Sequence, residues 1–380
     1  MADPARYLCP SCGASHDAGT PIWRCPACGS HVNLSDGPGL APGDIDVSVP
    51  SLWRYAAALR VDAAAAITLG EGLTPLVEKD WGGLPLHLKL DYLCPTGSFK
   101  DRGVTVLMSY LKQQGVNAIL EDSSGNAGAS MAAYTASASM DCRILVPASA
   151  PAGKLVQMRA AGADVVPVSG TRQDVSDAAI EEAGRTFYAC HNWQPYFLEG
   201  TKTAAYEMWE QLGFRAPDNV IVPAGGGSNV IGAHIGFREL LAAGQIDRLP
   251  RIFAVQAAAC APLVASFEAG TDDPIEVPVV PSAADGIAIA RPVRLKEMLA
   301  AVRDTGGACL AVREDEIVAA LTSLVRSGLF VEPTSATVAA AFTRLTAGGV
   351  IGKGETTVGL LTGIGLKATS KIGHLLGLEG

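Results

Sequence analysis

Short β-rich runs alternate with helical periods along most of this chain, and glycine-rich loops stand directly behind several of the runs. PLHLKLDY, NAILED, CRILVPA, DVVPVS, FYAC, NVIVPA, RIFAVQAA and TTVGLLT read as strands. ASMAAYTASAS, KLVQMRAAG and DVSDAAIEEAG read as helices between them. That alternation predicts an α/β fold with parallel-rich sheets covered by helices. In such sheets ligands bind beyond the carboxyl ends of the strands, which is where SSGNAG (123–128), GGGS (225–228) and TGIG (362–365) fall. The chain has 380 residues, 48% of them apolar, enough for more than one packed core and too apolar for a disordered chain. Acidic residues outnumber basic ones by 38 to 29, so the charge footprint of a nucleic-acid binder is missing. No apolar stretch of spanning length or secretory leader is legible, so a cytoplasmic protein without membrane partners is expected.

The nine cysteines divide into two classes. Cys94, Cys142, Cys190, Cys260 and Cys309 stand singly and read as small buried thiols. Cys9/Cys12 and Cys25/Cys28 form two C-x-x-C pairs, each followed by a glycine, Gly13 or Gly29. Four thiolates at this spacing suit a closed tetrahedral zinc site of the structural kind, with a site that has lost its metal or a redox pair as alternatives. Residues 1–34 are therefore expected to form a zinc-ribbon-like segment serving folding or assembly. Residues 35–66 would supply a Gly/Pro/Asp-rich linker and a short helix, SLWRYAAAL, ahead of a catalytic unit over 67–380.

Two features carry chemistry before any relative is considered. Three successive glycines ahead of Ser228 let backbone amides close on an anion at a helix start, although a close-packed turn explains them equally well. Lys100, behind a Gly-Ser-Phe turn, is a candidate nucleophilic amine if its pKa is lowered by desolvation or a neighbouring cation.

The stretch PTGSFKDRG resembles the cofactor-attachment segment of threonine synthases, members of the fold-type II pyridoxal-phosphate enzymes. GEGLTPLV, SSGN, KLVQMRAAGADVV, EGTKTAAYE, GGGS, EPTSA and LTGIGLK follow in the order of that family, covering roughly residues 7–370. The resemblance implies a two-domain, tryptophan synthase β-like α/β fold with pyridoxal 5′-phosphate between its halves. A smaller mobile half would lie near 105–200, and a homodimer is expected. It also implies roles. Lys100 would carry the cofactor as a Schiff base and then move the Cα proton. Asn126 would bond the cofactor's phenolic oxygen, Gly225, Gly226, Gly227 and Ser228 would cradle its phosphate, and Thr362 would face its pyridine nitrogen. Ser123, Ser124 and Gly125 would offer donors to the substrate carboxylate, with Ala127 beside them.

Two departures from the family bear on substrate. Threonine synthases read STGNTS where this chain has SSGNAG, so Ala127 and Gly128 bring no hydroxyl. The family's N-P-x-R segment becomes QPYF, placing Phe197 where an arginine would meet the phosphate of O-phosphohomoserine. Losing such a guanidinium removes about 2–3 kcal/mol of charge-assisted hydrogen bonding. Arg291 or Arg294 would then read a distal anion, unless they are ordinary surface residues. His191 reads as a satisfied polar neighbour, and Trp193 and Tyr196 as pocket wall or core. The expected function is elimination or replacement at Cβ or Cγ of a small, unphosphorylated amino acid, a lyase reaction. The alternatives are an authentic threonine synthase and a non-catalytic cofactor-binding regulator.

Overall fold

In the computed structural model, which describes residues 5–150 and 152–378, strands β1 (Arg6–Leu8), β2 (Ser15–Asp17) and β3 (Asn33–Leu34) form a small antiparallel sheet in the order β2-β1-β3. The later strands are β4 (Leu76–Trp81), β5 (Leu84–Lys89), β6 (Ala118–Glu121), β7 (Asp141–Pro147) and β8 (Asp164–Val168). They continue with β9 (Phe187–Tyr188), β10 (Asn219–Pro223), β11 (Arg251–Ala257), β12 (Ala308–Val312) and β13 (Thr357–Leu360).

These strands build two larger sheets in two compact units. One unit takes in the described residues through Leu40, Asp44–Gly72 and Lys100–Thr201. It holds a four-stranded parallel sheet in the order β8-β7-β6-β9. The other takes in Ala41–Gly43, Leu73–Phe99 and the described residues from Lys202 onward. Its six-stranded sheet runs β12-β11-β10-β13-β5-β4, parallel except for the β4–β5 pair. Asn219–Pro223 is buried at every position, as expected of a strand covered on both faces.

The α/β reading holds, with two strands of the larger sheets that the sequence patterns passed over. β4 (LVEKDW) alternates partly buried with exposed residues, the signature of an edge, and turns back into β5 through Gly82 and Gly83. Both glycines have positive φ, so a two-residue hairpin turn is available to them. β12 (ACLAV) is alanine- and cysteine-rich, with little β-propensity of its own. SLWRYAAAL forms a 3₁₀ segment, Leu52–Ala58, broken at Tyr55, rather than a regular helix.

Helices α1 (Lys100–Gln113) and α2 (Asn126–Ser137) belong to the first unit. Eleven consecutive residues of α1, Asp101–Leu111, are buried, so this helix is core on all sides. Ser130 Oγ of α2 donates to Asp101 Oδ1 at 2.5 Å, tying the two helices together just behind Lys100. The helix Pro195–Thr201 crosses α1 at glycine: a Cβ on Gly200 would run into the Arg102 carbonyl, and one on Gly103 into the Phe197 ring.

The cysteine-bearing sheet shares a core with α1. Tyr7, Cys9 and Cys25 belong to the same buried cluster as Val104, Leu107 and Phe197. Tyr7 Oη lies 2.7 Å from Tyr110 Oη, and Tyr110 Oη donates to the Ala18 carbonyl at 2.8 Å. Tyr110 in turn stacks on Tyr196 with ring centroids 3.6 Å apart.

Candidate active site

Lys100 is the first residue of α1, directly behind the Cys94–Phe99 loop. Part of the residue is exposed, but desolvation of the amine, the largest influence, lowers its pKa to about 8. The charge of Glu121 opposes that shift and Arg172 adds to it. The ammonium lies 5.5 Å from the centre of the Phe197 ring. Phe197 is fully buried, and its ring is 5.5 Å from that of His191.

β6 ends at Glu121, and the loop behind it runs from Asp122 through Ser123, Ser124 and Gly125 into α2 at Asn126. Ser123 is buried and its Oγ accepts from Gly125 N at 3.3 Å. Ser124, Gly125 and Asn126 are partly exposed, whereas Ala127 is buried. The free N–H groups of a helix start, with the dipole behind them, favour an anion. One unit therefore brings together Lys100, the 123–126 loop, Phe197, His191 and Glu121.

Glu121 and His191 were not singled out as a pair by sequence reasoning. His191 Nδ1 lies 3.2 Å from Glu121 Oε1, with both side chains buried. Burial first, and the Asp122 charge second, push the Glu121 carboxyl well above its usual range. Burial, reinforced by Lys100 and Arg172, holds His191 well below its usual value, hence neutral. Only the acidic pair Glu121–Asp122 directly ahead of SSGN signals this in the sequence.

The second unit supplies the other motif. β10 ends at Pro223, and Gly225, Gly226 and Gly227 lead into the helix Ser228–Ala242. Gly227 has φ +93°, and a Cβ there would meet Met298 Cγ at 2.6 Å. A Cβ on Gly225 would approach Ile287 Cα to 3.0 Å. These glycines keep the loop tight at a helix start, as a phosphate cradle requires. Thr362 follows β13 and is buried. Ser335, from EPTSA, fixes it: Ser335 Oγ accepts from Thr362 N at 2.9 Å and Gly363 N at 3.2 Å, and lies 3.4 Å from Thr362 Oγ1. Arg291 is a surface residue paired with Glu276 at 3.3 Å, while Arg294 is buried and lies 3.6 Å from Glu297.

The four paired cysteines converge. Cys9 Sγ lies 3.5 Å from Cys28 Sγ, Cys12 Sγ lies 3.7 Å from Cys25 Sγ, and all four sulfurs fall within 4.8 Å of one another. Sulfurs about 2.3 Å from a central zinc in a tetrahedron would be about 3.8 Å apart, so the donor set fits the metal. Gly13 N donates to the Cys9 carbonyl and Gly29 N to that of Cys25, closing the two knuckles. His16 Nε2 stands 3.5 Å from Cys25 Sγ as an outer neighbour.

The family model for "Pyridoxal-phosphate dependent enzyme" matches residues 67–363. The chain belongs to the pyridoxal-phosphate-dependent enzymes, in their threonine synthase-related branch. The threonine synthase of Methanocaldococcus jannaschii is 36% identical over 375 residues, covering 94% of this chain and 92% of that protein. That of Mycobacterium leprae is 37% identical over 309 residues, covering 79% and 83%. The solved threonine deaminase isoform 2 of Solanum lycopersicum superposes with a TM-score of 0.69 at 22% identity, covering 93% of this chain and 98% of that one. An L-serine ammonia-lyase from Rhizomucor miehei gives 0.70 at 18% identity, covering 82% and 99%. These structures share the fold. The family's chemistry is elimination or replacement at Cβ or Cγ of an amino acid, with pyridoxal phosphate as cofactor.

Proposed function

We propose that this enzyme eliminates or replaces a leaving group on a small, unphosphorylated amino acid. The observation that carries this reading is Phe197, wedged against Gly103 and 5.5 Å from the Lys100 amine, in the segment whose resemblance to the family's N-P-x-R would put a phosphate-binding arginine there. A phosphate there would exchange water for an aromatic face.

Bound pyridoxal phosphate supplies the electron sink for a carbanion at Cα. The chain's own residues orient and protonate. Lys100 holds the cofactor and then moves the Cα proton; its lowered pKa keeps a useful fraction of free amine near neutrality. Ser123, Ser124 and Gly125, at the start of α2, receive the substrate carboxylate, Ala127 packs behind them, and Asn126 donates to the cofactor ring. Gly225, Gly226, Gly227 and Ser228 receive the cofactor phosphate at their helix start. Thr362, held by Ser335, presents a neutral hydroxyl to the pyridine nitrogen, which suits elimination.

Zinc at Cys9, Cys12, Cys25 and Cys28, a homodimer and a cytoplasmic setting complete the proposal. Among the described residues, no helix is long and apolar enough to cross a membrane. A second reading, authentic threonine synthase, draws on the curated relatives of that name at 34–37% identity. The deciding experiment offers O-phosphohomoserine and, separately, serine and threonine to the purified holoenzyme. Release of a 2-oxo acid from the free amino acids without phosphate release supports the first reading. Steady phosphate release with threonine as product replaces it by the second.

A further inference from the structure

At the carboxyl end of β6 lies a buried acidic corner that the mechanism above does not use. Glu121 is fully buried, Asp122 is 7% exposed and His191 is 5% exposed. Glu121 Oε1 meets His191 Nδ1, but Glu121 Oε2 and Asp122 Oδ1 have no hydrogen-bond partner. Cys190, whose thiol is within 4.8 Å of the Glu121 and His191 donor atoms, is itself buried. Burial and the charges of Asp122 and Glu121 drive that thiol well above its usual range, so it stays a neutral thiol.

Among the described residues, the cations acting on this corner are Lys100 and Arg172. Lys100 is the residue assigned to the cofactor, and Arg172 is exposed at the start of the helix Arg172–Glu182. Two buried carboxyl groups are thus left with open oxygen atoms and, among the described residues, no dedicated positive partner. Such atoms are costly unless a donor, best a charged one, comes to them. The corner adjoins the 123–126 loop and, through His191, the ring of Phe197 beside Lys100. Where a phosphate-binding site needs positive charge, this chain places acceptors.

We infer that Glu121 and Asp122, with His191 orienting Glu121, form the subsite for the substrate's distal group, and that this group is a protonated amine. The substrate class is a small 2-amino acid with a second amino group on its side chain. This rests on the pyridoxal-phosphate reading of the site above. An ammonium satisfies the open Glu121 and Asp122 oxygens at once, a hydroxyl brings one donor without charge, and a phosphate monoester brings only negative charge.

The test titrates the holoenzyme with 2,3-diaminopropionate, serine and O-phosphoserine, following the cofactor's visible absorbance. Diaminopropionate is expected to bind at least about tenfold more tightly than serine, with O-phosphoserine weakest. Glu121→Gln should erase that margin, bringing diaminopropionate affinity down to that of serine in chains that still hold the cofactor. If that chain does not retain cofactor, Asp122→Asn and His191→Asn carry the same expectation. Equal affinities in the unaltered enzyme, or a margin that survives substitution at both carboxylates, overturn the inference. So does a second zinc per chain that disappears in Glu121→Gln, which would give the open oxygens to a metal. A holoenzyme answering to none of these amino acids would sink the catalytic reading itself, whereas one answering to serine without a diamino preference sinks only this subsite.

Discussion

The loops of the second unit and the wall of the first are built from different materials. Gly225–Ser228 and Thr362 present backbone, glycine and hydroxyl groups, fixed by close packing on Met298 and Ile287 and by Ser335. The region from Glu121 to Asn126, with His191 and Phe197, presents carboxyl, imidazole and aromatic side chains, with Glu121 and His191 both shifted far from their usual pKa range. A backbone cradle accepts one kind of group, a cofactor phosphate or ring, and varies little in what it can bind. A side-chain wall can change its ligand by changing a few residues, and here it carries carboxyl groups where a phosphate site needs cations.

Removing the amine tests the first unit where the effect is largest. Lys100→Ala should abolish cofactor attachment and lower turnover by at least about a thousandfold, the upper range for a lost proton-transfer group. The chain should still fold, since α1 is anchored by its buried residues from Asp101 to Leu111. Turnover surviving without the visible absorbance of bound cofactor would break the assignment. In the second unit, Gly227→Ala puts a Cβ at φ +93° against Met298. The strain and the displaced Met298 should cost about 2–3 kcal/mol, read as roughly a hundredfold loss of cofactor affinity with little change in the substrate preference of molecules that remain loaded. A shift in substrate preference instead would blur the division between cradle and wall.

The same division marks what was legible in the sequence. GGGS and TGIG are local: glycines directly behind a strand mark loops at the ligand-binding edge of an α/β sheet before any contact is known, and the alternation of β and helical periods announces the sheets themselves. β4 was missed because an exposed edge strand such as LVEKDW carries charges where strand patterns look for apolar residues, although Gly82-Gly83 marks its hairpin. The wall was harder. Glu121 and His191 are 70 residues apart, and only the β6–β9 pairing brings their chain segments side by side. Phe197 announced itself only as a departure from a resembling segment. Its contact with Gly103, which makes it a fixed part of the site, depends on two helices crossing. Ser335 stands in the EPTSA word, but its two backbone donors lie in a different segment, 362–363.

Acidity sharpens the comparison, because among the groups assigned to cofactor and substrate the shifted pKa values lie in the wall. For the cofactor-free chain, Lys100 must lose its proton before it can attack an aldehyde. With its pKa lowered from 10.5 to about 8, the rate of cofactor capture should fall about tenfold for each pH unit below 8 and level off above it. The sign for stability follows from the same shift. Between about 8 and 10.5 the unfolded chain keeps a proton that the folded chain has released, so the cofactor-free protein gains stability as pH rises through that window. Stopped-flow capture across pH 6–10, a range spanning the roughly two-unit shift, reads the rate. A profile still rising tenfold per unit at pH 10 would mean that Lys100 is not desolvated.

The smallest expected effect concerns how the cysteine-bearing segment supports the wall. Trp23 packs edge-on to Tyr188 and Trp193 with ring centroids 5.1 and 5.3 Å away, and those two residues flank Cys190 and His191. Tyr7 makes the matching contact with Tyr196, beside Phe197. Trp23→Ala removes two aromatic pairs, each worth about 0.5–1.5 kcal/mol beyond burial. Because the contacts lie behind the substrate wall, a few-fold rise in KM is expected, with cofactor affinity and the cofactor's spectrum unchanged. A purely structural role would lower the melting temperature and leave KM alone. Chelating the zinc proposed at Cys9, Cys12, Cys25 and Cys28 should move the same two readouts in the same direction and further, because the knuckles fix the loop that carries Trp23. If chelation weakened cofactor binding and left KM untouched, the segment would be supporting the attachment of Lys100 rather than the wall.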